Sequence, residues 1–305
     1  MYQYPKQILT IEEQIQSYIN SGMEFDSIDT VEKALKTVGY YRLRGYSFHL
    51  YDNSAKKYVK GTKFENILKV YYFDQELSHI IFSMISKIEV ALRVRLVDAL
   101  LIHKDALILK DSSVFKDKKI YWQNMNIISS EISRSSDVFI KHNLEKYEGE
   151  VPIWAVVEVI SFGTLSKLIK NLKAGKGSAY SIFADNYKYI SEKNKFARPN
   201  QDMLTSWLES VSILRNICAH NSRIYMRVIT KIPQLINVDR LSPNPKHNKL
   251  YQVLLAMKYL RPTDDEWIRF VDKLDDLILK NSDVIILRDM NFPDDWKERL
   301  LYKIK

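Results

Sequence analysis

Apolar and polar residues alternate along the chain mostly with a helical period. From Phe64 to Lys104 the apolar positions include Leu77, Ile80, Ile81, Met84, Ile85, Ile88, Ala91 and Leu92, the three–four spacing of a core-facing helical stripe. At about 1.5 Å of rise per residue such a helix is unusually long, and a bend or break is expected near Asp74. A second long helix is predicted over "DMLTSWLESVSILRNICAHNSRIYMRVITK", with Leu204, Trp207, Leu208, Val211, Leu214 and Cys218 as its stripe. Pro233 and then "SPNPKHN" end it.

Shorter elements flank these two. Thr10 followed by Glu13 has capping-box spacing, with Gly22 near the end of the helix they start. Val31, Ala34, Leu35 and Val38 carry the period of the next one, and "DNSAKKYVKGT" reads as a surface loop. Residues 105–150 are more polar and predict a helix between mobile loops. Pro152 stands near a further helix start, whose apolar run is interrupted at Gly163. "KAGKGS" is a loop; it lacks P-loop spacing and follows no strand, so it is not read as a phosphate cradle. After Lys249 the chain is a helical tail. The pattern thus predicts an all-α protein: an N-terminal helical extension (1–60), a central bundle (61–235) and a C-terminal helical segment (236–305), packed as one unit. No internal repeat emerges.

Composition sharpens this picture. Gly and Pro number eight each in 305 residues, too few for a turn-rich all-β fold. Cys218 is the only cysteine, which excludes an intramolecular disulfide framework and a thiolate zinc cluster and fits a reducing cytoplasm. The N-terminus lacks the pattern of a secretory signal, and no run of 18 apolar residues predicts a membrane span. The six histidines are scattered without paired ligand spacing, so neither a metal nor another cofactor is expected. A formal charge of +9 suits an anionic partner such as nucleic acid.

One stretch concentrates polar chemistry: "SILRNICAHNSRIYMR", Ser212 to Arg227. On a continuous helix Asn216 and His220 stack four apart, and Arg223, Arg227 and Lys231 continue that side, with Arg215 about 100° around. No Asp or Glu occurs from Ser210 to Val238. Such an acid-free basic stripe suits an anion. In RNA the ribose 2′-hydroxyl is an internal nucleophile beside its phosphorus. A histidine can take its proton or protonate the leaving oxygen, and a guanidinium can stabilise the charge that develops. One histidine cannot easily serve as both base and acid, so a homodimer with a composite site is expected. The rival reading is a helix end, where His and Arg satisfy last-turn carbonyls and complement the dipole. The same choice faces Glu89 and Arg93, four apart, whose plain reading is a solvated ion pair.

The segment "LRNICAHNSRIYMR" carries an R-x4-H pattern in R-N-x-x-A-H form, and the chain resembles the Abi-like (AbiD/AbiF) abortive-infection proteins of the HEPN ribonuclease superfamily. "VGYYRLRGYSF", "YYFDQELSHIIFSMISKIEVALR" and "PIWAVVEVISFGTLSKL" are similar to three further segments of that group, in order, over roughly residues 5–235. The resemblance implies a HEPN-like helical bundle, frequent dimerisation, metal-independent RNA cleavage or RNA binding, and antiphage defence, sometimes as a toxin with a neutralising RNA or protein. Carried over by position, Arg215 and His220 are the catalytic pair and Asn216 their polar support; Arg223, Arg227 and Lys231, from the basic stripe, are expected to contact RNA. Tyr41, Arg42 and Tyr46 match family positions and could stack or hold RNA, as aromatics do in single-strand binders. Trp154, Glu158 and Gly163 match as well, with packing as the expected role. The alternative function is an RNA-binding protein of the same fold that holds a noncoding RNA without cutting it.

Overall fold

A computed structural model describes residues 7–191 and 195–302 and is all-α, with only two two-residue hairpins besides its helices among those residues. The helices are α1 (Ile11–Asn20), α2 (Ile28–Thr37), α3 (Tyr40–Ser47), α4 (Phe64–Leu100), α5 (Lys118–Arg134), α6 (Val138–Lys146), α7 (Ile153–Val159), α8 (Phe162–Lys170), α9 (Ala179–Asp185), α10 (Gln201–Ala219), α11 (Leu250–Leu260), α12 (Asp264–Lys280) and α13 (Trp296–Leu301). The chain divides into two compact units. One runs to Leu77 and includes Asp275–Ile286; the other comprises Ser78–Leu274 and the chain from Leu287.

The first unit begins with the expected capping box: Glu13 accepts from the Thr10 N–H at 2.7 Å and the Thr10 hydroxyl accepts from the Glu13 N–H at 3.3 Å. These bonds satisfy N–H groups that a helix start otherwise leaves without partners. Val31, Ala34 and Leu35 of α2 are buried as their spacing predicts. Tyr18 anchors an aromatic cluster with Tyr40, Tyr58 and Phe64. The segment read as a loop forms a short hairpin, Tyr51–Asp52 against Lys57–Tyr58, before its turn at Gly61.

Three expectations are corrected here. The helix α4 passes through Asp74 without interruption. Asp74 is buried and accepts a 2.6 Å hydrogen bond from the Tyr46 hydroxyl, so its polarity is satisfied by tertiary contact instead of by a break in the helix. Residues 105–150 hold two helices, α5 and α6, in place of one. The Glu89–Arg93 pair is formed with both side chains mostly buried, not as a solvated contact.

In the second unit α10 lies at the centre, packed against α8 and α11, with Leu204, Trp207, Leu208, Val211, Leu214 and Cys218 buried. Each large apolar side chain removed from water in this way contributes about 1.5–3 kcal/mol. Trp207 stacks on Tyr259 and donates its indole N–H to the Gln234 carbonyl at 2.7 Å. Beside it, Lys258 and Asp239 form a buried ion pair at 2.7 Å, with Tyr259 donating to the other carboxylate oxygen. Burial pushes the Lys258 ammonium below its ordinary range against the pull of Asp239. No helix among the described residues is long and apolar enough to cross a membrane.

Candidate active site at the end of α10

The second long helix stops at Ala219, twelve residues short of the expected Lys231. Its end is a Schellman closure: the Ser222 N–H donates to the Ile217 carbonyl at 2.9 Å and the Asn221 N–H to the Cys218 carbonyl at 3.0 Å. The closure requires a left-handed residue, and Asn221 supplies it at φ 48. Asparagine adopts that conformation more readily than other residues with a Cβ. His220 is the C-cap residue, exposed, its backbone N–H donating to the Asn216 carbonyl at 3.1 Å. The helix therefore ends on the histidine, and the turn beyond it is fixed by main-chain bonds.

Arg215 stands one turn and a half upstream, half-buried, its guanidinium carbon 5.8 Å from the centroid of the Phe82 ring on α4. A guanidinium over an aromatic face is held by the ring quadrupole and loses little freedom when it meets an anion. One Nη donates to the Asn216 side-chain oxygen at 3.4 Å. Its Nε is buried and has no acceptor, and no carboxylate of the described residues pairs with it. A buried guanidinium N–H without a partner is unfavourable by itself, and an oxyanion able to reach it would satisfy it. Phe82 could not be singled out in the sequence, where it is one apolar residue among many on a long helix.

The basic stripe beyond the cap is not a helical stripe. Arg223 and Arg227 lie in the loop that follows, linked by a bond from an Arg227 Nη to the Arg223 carbonyl at 3.4 Å. Lys231 turns back to the middle of α10 and pairs with Glu209, which also takes Lys170 at 2.7 Å. The counterion sits one residue before the acid-free window, which is why the sequence concealed it. Burial acts to raise the Glu209 carboxyl, but the hydrogen bonds from Lys170 and Lys231 prevail and hold it below its ordinary value. Lys231 is thus engaged in an ion pair with Glu209, apart from the helix end where it is expected to extend the basic stripe. Arg215, Asn216 and His220 remain together on the last turns of α10.

The other matched segments divide. Tyr41 is 92% exposed and Arg42 is exposed, but Tyr46 is 3% exposed and bound to Asp74, so it cannot stack on a base. All three belong to the first unit. Trp154 is 54% exposed and Glu158, one turn on, is exposed too, against the expectation of packing. Gly163 does face α10: a Cβ there would lie 4.0 Å from the Ser212 hydroxyl. Among the described residues no cluster of His, Cys, Asp and Glu could hold a metal.

A helix-bundle unit that ends its central helix on an Arg-Asn-x-x-Ala-His turn, with a half-buried arginine over an aromatic ring, defines an all-α protein with a polar helix end. The family model of the Abi-like proteins matches residues 33–226, and the chain belongs to that family. Membership points to abortive-infection defence. No curated protein and no solved structure matches the chain.

Proposed function

We propose that this protein is a cytoplasmic, metal-independent endoribonuclease of HEPN type that serves antiphage abortive infection as an RNA-cleaving effector. The observation that carries the reading is the half-buried Arg215, with an Nε that lacks an acceptor, beside an exposed His220 fixed at the helix cap. A helix C-terminus is the negative pole of its dipole and does not attract phosphate by itself. Cations must hold the phosphate there, and Arg215, Arg223 and Arg227 supply them.

In the proposed reaction His220 removes the 2′-hydroxyl proton, the freed oxygen attacks phosphorus, and the bond from phosphorus to the 5′-oxygen breaks. The leaving oxygen takes a proton from the same histidine of a second copy, which leaves a 2′,3′-cyclic phosphate and a 5′-hydroxyl. Arg215 stabilises the charge on the phosphoryl oxygens, and Asn216 keeps the guanidinium in register. The second copy has an apolar surface available: Val90 and Val94 are exposed on one side of α4, beginning two turns beyond Phe82, and Leu101 is exposed directly after the last residue of that helix. A neutralising RNA or protein would restrain the activity between infections.

The test is incubation of wild type, His220→Ala and Arg215→Ala with total RNA in chelator, with end-group analysis of the fragments. Cleavage by wild type alone, leaving cyclic phosphates, supports the reading. Equal cleavage by wild type and His220→Ala removes it, and binding without cleavage by wild type moves the function to RNA retention. Ultracentrifugation of the active protein tests the dimer, which a strictly monomeric active species excludes.

A further inference from the structure

The second unit carries a cleft of about 900 Å³ that the helix-end chemistry does not use. It lies between the strand residue Tyr189, the segment 232–236 with the 3-10 turn Asn237–Asp239 that follows it, and the loop leading to α11. Its volume is within the range of clefts that bury small ligands. No Asp or Glu is among the described residues that line it, whereas Arg240 and Lys246 are, both with exposed side chains. Carboxamides recur around it at Asn237 and Asn244.

The floor includes Asn248, 5% exposed, whose amide nitrogen donates to the Ile229 carbonyl at 3.1 Å and the Lys231 carbonyl at 2.7 Å. Those two bonds fix which end of the carboxamide is which, and its oxygen has no partner. A buried acceptor left empty is costly by itself, so the side chain is held in place by its two donated bonds alone. Tyr189 is held edge-on by Tyr259, ring centroids 6.1 Å apart, which leaves an ordered aromatic at the rim.

We propose that this cleft binds a nucleoside phosphate, either as a free nucleotide or as the phosphorylated end of an RNA. A nucleotide has the matching parts: a flat π-face for Tyr189 and the apolar wall, an edge of mixed donors and acceptors for the carboxamides, and an anion for Arg240 and Lys246. A purely apolar ligand would leave the carboxamides unpaired, and an acidic peptide would make no use of the aromatic rim. The proposal does not depend on the helix end cleaving RNA.

Calorimetric titration of the purified full chain decides it. The probes are the four nucleoside 5′-monophosphates, inorganic phosphate, and one oligoribonucleotide with and without a 5′-phosphate. At least one monophosphate, or the 5′-phosphorylated oligonucleotide alone, binds saturably; the first outcome identifies a free nucleotide, the second an RNA end. The Arg240→Gln/Lys246→Gln variant weakens that binding by at least ~10-fold, as loss of charge-assisted contacts to phosphate should. Tyr189→Leu weakens it by about 10-fold through the base. Both keep the wild-type Tm without ligand, and His220→Ala binds as wild type does. Absence of saturable binding, equal binding of inorganic phosphate, unchanged affinity in the charge variant, or loss of binding in His220→Ala would each overturn the proposal.

Discussion

The two arginine-bearing segments that stand out in the chain, "YYRLRGY" and "LRNICAH", meet different fates. In the first, one residue of the set is absorbed into structure: the Tyr46 hydroxyl is bound to the buried Asp74, and its ring packs edge-on against Tyr71. The Arg44 guanidinium lies over the rings of Tyr40 and Tyr51. In the second, the apolar residues Leu214, Ile217 and Cys218 go to the core, while Asn216 and His220 stay exposed and Arg215 keeps a donor without an acceptor. A segment whose polar groups find partners inside its own fold is a packing motif. One that keeps an exposed histidine at a closed helix cap and an arginine N–H without an acceptor is prepared for something from outside.

The comparison can be broken most decisively at His220. His220→Ala should lower RNA cleavage by ~10²–10⁴-fold, the range of a lost general acid–base group, with little change in Tm; an unchanged rate in single-turnover assays would dissolve the contrast. Tyr46→Phe should do the opposite. It removes a donor from buried Asp74, costing about 1–3 kcal/mol, and denaturant unfolding should register it while activity below the transition stays near wild type. Asn221→Ala should cost about 1 kcal/mol or somewhat more, because alanine resists the left-handed conformation, whereas Asn221→Gly should keep stability. If alanine and glycine behave alike, the closure does not fix the cap.

Smaller effects sharpen the picture further. The folded-state Glu209 carboxyl lies below its unfolded value, so its contribution is present above the ordinary glutamate pKa and is lost as pH falls through the folded value. The acid limb of the wild-type stability profile should therefore be steeper than that of Glu209→Gln, with the difference confined to pH below the ordinary glutamate range. Tyr41→Ala, at a site 92% exposed, should change stability by less than about 0.5 kcal/mol. A loss of RNA affinity of ~1–3 kcal/mol in that variant would restore the first segment as a stacking surface.

Much of the architecture was legible in the sequence. Helical periodicity located α2, α4 and α10 and named their buried faces, because burial of one side of a helix leaves a 3.6-residue repeat. The capping box of α1 was equally local. The end of α10 at Ala219 is less legible, although Asn221 directly after His220 is a residue type that closes helices in the left-handed region. Basic residues continuing at helical spacing to Lys231 disguised that end. The match of Trp154 and Glu158 to the family segment suggests packing, yet short α7 turns both outward.

By itself, then, the chain's sequence determined an all-α fold, its family, and the one short stretch that carries Arg215, Asn216 and His220. The tertiary structure decided which charges are free to meet an anion. Glu209 engages Lys231, Asp74 takes the Tyr46 hydroxyl, and Phe82 underlies Arg215 while no carboxylate of the described residues pairs with it. Partners this far apart in sequence leave no periodic trace, because a hydrogen bond or ion pair is set by distances in space, whereas a helix writes its buried face into the order of its own residues.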